Sequence, residues 1–121
     1  MTASRAYIDT MGRCVLVPAE PQRLVSLVPS ITETLFAFGW GEQLVGITDY
    51  CTEPAAAIVG KTAIGGTKNP RIPEILALQP QLVFAVAEEN RQDDVAQLEA
   101  AGVPVYVFEP RTARDGIDML W

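Results

Sequence analysis

The stretch from Leu24 to Gly39, LVSLVPSITETLFAFG, decides how this chain folds. Its opening, Leu24 to Val28 (LVSLV), is an apolar run rich in β-branched residues and lacks a polar face. That is the pattern of a parallel strand buried on both sides. Pro29 ends the strand. Ser30, Ile31, Thr32 and Glu33 then match the S-x-x-E capping box, in which Ser30 and Glu33 satisfy backbone N–H groups at a helix start. Loss of such a cap costs about 1 kcal/mol. Ile31, Leu35 and Phe38 recur at helical spacing, and Gly39 suits the position just past a helix end. A buried strand running straight into a helix is the building unit of a parallel sheet covered by helices.

The same unit recurs outward from this stretch. Toward the N-terminus, Tyr7 to Val17 reads as two short strands around a Met11-Gly12 turn, before Pro18 and Pro21 break the pattern. Residues 1–23 are thus a β-hairpin extension. Toward the C-terminus, Leu44 to Ile47 (LVGI) is a second strand of the sheet. Residues 48–71 are rich in loop formers (Pro54, Gly60, Gly65, Gly66, Pro70), and a long irregular connection in a small domain is usually functional. Pro73 suits the first turn of a helix that Glu74 to Gln79 continues as far as Pro80. Leu82 to Val86 (LVFAV) is a third strand. Asp93 to Ala101 is an amphipathic helix with acids in its first turn, closed by Gly102. Val103 to Phe108 is a fourth strand. Thr112 to Trp121 opens a further helix whose Ile117, Leu120 and Trp121 share one face. It has no stop signal, as expected of a truncated boundary.

Four strands alternating with helices predict an α/β domain with a doubly wound, four-stranded parallel sheet. Ligands of such sheets gather at the loops after the strand carboxyl ends. Here those loops are Pro29-Ser30, Thr48 to Cys51, Ala87 to Asn90 and Glu109 to Thr112.

Composition removes several function classes. The chain has 121 residues, 49% hydrophobic and 20% charged, with net charge −6. Its nine Lys and Arg residues are scattered, which argues against nucleic acid as a partner. Without a histidine, Ser-His and Cys-His dyads and every His-containing zinc site are ruled out. Spacing leaves a Cys14–Cys51 disulfide open. Two free thiols, at least one of them buried, are expected, with Cys51 structural rather than nucleophilic. Glu88-Glu89 and Asp93-Asp94 resemble paired catalytic carboxylates, but acids at a helix start are accounted for by the helix dipole. Gly60-Lys61-Thr62 matches the tail of a phosphate-binding loop, yet Ala55 stands where its first glycine belongs. No catalytic residue, metal ligand set or intrinsic cofactor is predicted. No apolar run is long enough to cross a bilayer, and the first residues lack the apolar region of a signal peptide. Either export is encoded upstream, or the chain is a cytoplasmic α/β ligand-sensing domain or enzyme subunit.

Taken in order, DTMGRCVLVPAEPQRLVSLVPSITETLFAFG, VGITDYCTEP, GGTKNPRIPEILALQPQLVFA and LEAAGVPVYVFEP resemble the periplasmic-binding proteins for cobalamin and iron-siderophores, also called helical-backbone metal receptors. The similarity runs from Asp9 to Leu120. The resemblance implies two Rossmann-like lobes joined by a long helix, with a metal chelate (a cobalamin or ferric siderophore) held between them and delivered to an ABC transporter permease. Residues 1–121 would then be the N-terminal lobe, with 112–121 the start of the inter-lobe helix. The partner wall would be a C-terminal lobe or a second copy in a homodimer. The location implied is periplasmic or extracellular. The ligand-facing positions implied are Pro29, Ser30, Tyr50, Gly66, Thr67, Asn69, Glu88 and Asn90. Thr67 is small where cobalamin binders can carry a large aromatic. Glu74 is implied in docking to the transporter. It stands one residue after the matching position, which Pro73 occupies, and that shift turns a helical side chain by about 100°.

Overall fold

The computed structural model of the chain describes residues 4–9, 12, 14–18, 21–49, 60–87 and 89–108, the side chains of Ser4, Arg5, Tyr7 and Pro18 excepted. The predicted helix at 112–121, with its apolar face, and Cys51 lie outside the described residues. Two strands, β1 (Ser4–Ile8) and β2 (Cys14–Pro18), pair antiparallel as a hairpin. There follow β3 (Leu24–Ser26), α1 (Pro29–Ala37), β4 (Leu44–Ile47), β5 (Thr62–Ala63), α2 (Ile72–Ala77), β6 (Leu82–Val86), α3 (Gln92–Ala100) and β7 (Val105–Phe108). Strands β3 to β7 form one five-stranded sheet in the order β5-β4-β3-β6-β7, with every pairing parallel.

The four strands expected from the apolar runs are all present. The fifth, β5, was missed, because two exposed residues, Thr62 and Ala63, carry no readable periodicity.

The sheet separates two cores. Along β6, Leu82, Phe84 and Val86 face a layer with Ile31 and Leu35 of α1 and Val15 and Val17 of the hairpin. Val83 and Ala85 face the opposite layer, with Ile75 of α2 and Val95 and Leu98 of α3. All five β6 residues are therefore buried, which is why the strand shows no polar alternation. Phe84 and Phe108 stack at 5.7 Å between ring centroids on the α1 side. Burying a side chain of this size contributes about 1.5–3 kcal/mol.

Helix α1 begins differently from the capping-box expectation. Its N-cap is Val28 and Pro29 is the first helical residue, so Ser30 lies inside the first turn and makes no capping bond. The fixed φ of Pro29 starts the helix one residue early. The hydroxyl that folds over this junction belongs to Ser26, whose Oγ donates to the Val28 carbonyl at 2.8 Å. The far end follows the sequence. Gly39 has φ +86°, its N–H donates to Phe36, and the Trp40 N–H donates to Leu35, a Schellman closure. Gly102 closes α3 in the same way, with N–H bonds from Gly102 to Glu99 and from Val103 to Leu98.

The hairpin blocks a sheet edge. Asp9 accepts the Val107 N–H through Oδ2 at 3.1 Å, and the Tyr106 hydroxyl donates to the Ile8 carbonyl at 3.3 Å. Strand β7 would otherwise offer that N–H to another chain. Cys14 is exposed with a free thiol.

Candidate functional site

Chain order and sheet order together locate a crevice. From β3 the chain moves outward to β4 and β5, then returns to place β6 on the other side of β3. The reversal between β3 and β6 is a topological switch point, where loops leaving the strand carboxyl ends diverge. After β3, Leu27 and Val28 lead into Pro29 and Ser30 at the start of α1, and the loop after β6 holds Glu89 and Asn90. The loop after β5 runs through Gly66, Thr67, Lys68 and Asn69, bounded by a Gly65–Pro70 bridge.

Asn90 ties these loops together. The residue is 7% exposed. Its Oδ1 accepts the Val86 N–H at 2.8 Å. Its Nδ2 donates to the Leu27 and Thr67 carbonyls, each at 3.1 Å. One amide thereby joins the ends of β3 and β6 to the loop after β5. Asn90, predicted to face ligand, has its side chain committed to this internal framework.

A second tie sits beside β4 and β5. The Asp49 N–H donates to the Gly65 carbonyl at 2.8 Å, and the Gly65 N–H donates to Asp49 Oδ1 at 3.2 Å. Arg71 donates through Nη1 to Asp49 Oδ2 at 3.4 Å, through Nη2 to the Ala63 carbonyl at 2.9 Å, and through Nε to Glu74 Oε2 at 2.7 Å. The bond to Glu74, then that to Asp49, holds the exposed guanidinium still more firmly in its charged form. Gly65 is obligatory here. Its φ is +105°, and an added Cβ would lie 2.8 Å from the Asn69 carbonyl oxygen.

The remaining predicted positions fall on the same rim. Ser30 and Asn69 are exposed, Pro29 and Thr67 are half-buried, and Gly66 is buried. Pro29 has no N–H, so the donors that the first turn of α1 leaves without an intrahelical partner begin at Ser30. Tyr50 and Glu88 lie outside the described residues. Glu74 is half exposed and linked to the rim through Arg71 and Asp49. Sequence reading missed Asp49 and Arg71 as organising residues. Their only signal was position, one just past the β4 end and the other just before α2. Among the described residues, no three His, Cys, Asp or Glu side chains come together to hold a metal ion.

A wholly parallel sheet with helices on both faces and a polar rim at its switch point is an α/β architecture in which ligands, where present, gather at that rim. The family model described as "Periplasmic binding protein" matches residues 24–120. The chain belongs to the periplasmic binding protein family. It is 32% identical over 102 residues to the vitamin B12-binding protein of Pectobacterium carotovorum, covering 84% of this chain and 37% of that one. It is 34% identical over 99 residues to the ABC transporter substrate-binding lipoprotein YvrC of Bacillus subtilis, covering 80% of this chain and 31% of that one. Among solved structures, the periplasmic heme-binding protein RhuT of Roseiflexus sp. RS-1 superposes with TM-score 0.69 at 35% identity, covering 73% of this chain and 34% of that one. The chain thus spans roughly a third of the length of these relatives.

Proposed function

We propose that this chain forms one wall of the ligand cleft of an ABC-importer substrate-binding protein, and that the ligand is a metal chelate. The observation that carries the reading is the knitted rim at the β3/β6 switch point, in a chain whose family relatives are named for binding vitamin B12 and heme. Haem and cobalamin are the leading candidates, and ferric siderophores belong to the same class of wrapped metal. With no clustered metal ligands among the described residues, the metal would arrive inside its own chelator. The protein would do no chemistry on it. Shape and apolar contact give affinity to such sites, and a few polar groups give orientation.

In this reading Pro29, Ser30, Thr67 and Asn69 present the contact surface, Gly66 is buried within their loop, and Tyr50 and Glu88 extend the surface. Asn90 holds the loops in register from beneath. Residues 1–121 constitute the N-terminal lobe, with 1–23 as its hairpin and 112–121 as the start of the inter-lobe helix. Glu74 serves docking to a permease, and the protein works outside the cytoplasm, as the names of its relatives imply for them.

Titrating the chain with haem, cyanocobalamin and a ferric siderophore, followed by absorbance and tryptophan quenching, tests the reading. One wall of a cleft should bind one of the three with roughly micromolar affinity, far short of a fully enclosed site. Ser30→Trp should occlude the rim and abolish that binding. Failure of all three probes to bind, or binding untouched by Ser30→Trp, would rule the proposal out.

A further inference from the structure

The hairpin is apolar on both faces. Val15 and Val17 point into the core shared with α1. The residues paired across the ribbon, Ala6 with Leu16 and Ile8 with Cys14, share the opposite face. All four are exposed. Ile8 and Leu16, at 65% and 61%, are the exposed large apolar side chains among the described residues. An antiparallel pair with one face on a core ordinarily turns polar residues outward. These two outward pairs carry three apolar side chains and a thiol instead, the pattern of a ribbon packed between two layers.

A second copy of the chain is a poor occupant for this face. Four side chains of this size offer a few hundred Å2, against the roughly 800 Å2 that each partner contributes to a stable complex. A tethered segment escapes that requirement, because its effective concentration reaches the order of millimolar without further contact. The chain carries such a segment next to the ribbon. Strand β7 ends beside the hairpin, with the Tyr106 hydroxyl on the Ile8 carbonyl and the Val107 N–H on Asp9. Residues 109–121 follow, and their sequence sets Ile117, Leu120 and Trp121 three and four positions apart, the spacing of one helical face. Ile117 comes nine positions after Phe108, enough for a reversal of direction and a turn of helix. Side chains so spaced on a helix lie about 5–6 Å apart. Ile8 and Leu16, diagonal neighbours on the ribbon, lie about 7–8 Å apart, so one such face can span both.

We infer that the outer face of the hairpin seats residues 109–121, with Ile117, Leu120 and Trp121 covering Ile8, Cys14 and Leu16. On the reading of residues 112–121 as the start of the inter-lobe helix, on which this step rests, the hairpin sets the direction in which that helix leaves the lobe.

Disulfide trapping tests the seat in the full chain carrying Cys51→Ser, where Cys14 is the remaining thiol. Ile117→Cys and Asp118→Cys are compared, with a small aromatic disulfide as the oxidant. The two positions differ by about 100° around a helix. The Ile117→Cys chain should close an intramolecular bridge to Cys14 about tenfold faster than the Asp118→Cys chain, since only the first thiol would face the ribbon. In the chain without added cysteines, Leu16→Asp should lower the hydrogen-exchange protection of amides 116–120 by about tenfold, and Leu16→Met should preserve it. Equal bridging rates, bridges between molecules rather than within one, or amides 116–120 indifferent to Leu16→Asp would each overturn the seat. A bridge that forms in a chain unable to bind chelates would count against the cleft reading alone. Chelate binding without the bridge would count against the seat alone.

Discussion

The two ends of the sheet are finished by different means. At the amino end, α1 and α3 close on Gly39 and Gly102, with backbone bonds that never reach beyond the same helical turn and its exit. Gly41 then fits against the Phe36 ring, where an added Cβ would lie 2.4 Å from a ring carbon. Lys61 Nζ donates to the Gly41 carbonyl at 2.7 Å. Gln81 Oε1 accepts the Arg23 N–H at 3.2 Å and Arg23 Nε donates to the Leu78 carbonyl at 2.6 Å, so side chains pin the strand starts to one another. At the carboxyl end side chains join whole loops. Asn90 joins residues 27, 67 and 86, and Asp49 and Arg71 join residues 63, 65 and 74. The amino end resembles a sealed surface. The carboxyl end is a set of loops kept apart at a fixed spacing, as a binding rim requires.

If that contrast holds, the largest effect comes from Asn90→Ala. It strands a buried N–H and two carbonyls, and should cost about 3 kcal/mol in urea unfolding. A loss below about 1 kcal/mol would mean the rim is held by other means. Next is Gly41→Ala at the amino end, where overpacking against Phe36 should cost about 2 kcal/mol. A neutral result would show that the Phe36 ring is free to move aside, and the contrast in tightness would weaken.

The third probe is pH. Burial, and then the charge of Asp9, raise the pKa of Tyr106 above its ordinary value of 10.0. The native state holds that proton more tightly than the unfolded chain, so stability is intact below pH 10 and falls as the pH rises beyond it. Tyr106→Phe should flatten the alkaline limb of a stability–pH curve. An unchanged slope would place the alkaline transition elsewhere. The smallest effect separates α2 from its neighbours. This helix ends on Gln79 at φ +53°, and Pro80 follows with no N–H to complete a Schellman closure. Gln79→Gly should stabilise the chain by about 0.5–1 kcal/mol, read as a rise in the urea midpoint.

The same contrast explains what could be read in advance. Gly39 and Gly102 were placed as helix terminators because such closures use residues adjacent in sequence. The strand positions of β3, β4, β6 and β7 followed from apolar runs for the same reason. The Ser30 capping box was misread although it too is local. Pro29 and Ser26 competed for the same junction, and a motif match does not say which residue the backbone selects. Strand β5 was invisible because its two residues pair by proximity to β4 rather than by any pattern of their own. At the site, Thr67 and Asn69 were legible as members of a loop at the strand carboxyl ends, and Ser30 as a residue at a helix start there. Asn90 was legible as a position but not as the clip between loops.

The sequence by itself determined the buried strands, their alternation with helices and hence the parallel sheet. Those features depend on the spacing of apolar residues along a few turns or one strand, which is written in the order of the chain. Only the tertiary structure decided that one amide would span three segments, that Arg71 would bond Asp49, Glu74 and the Ala63 carbonyl, and that Asp94 Oδ2 would be buried with no donor among the described residues. The bonds of Asn90 and that of Arg71 to Asp49 depend on which distant segments are brought within 3.5 Å of each other, a distance that packing sets and sequence spacing does not.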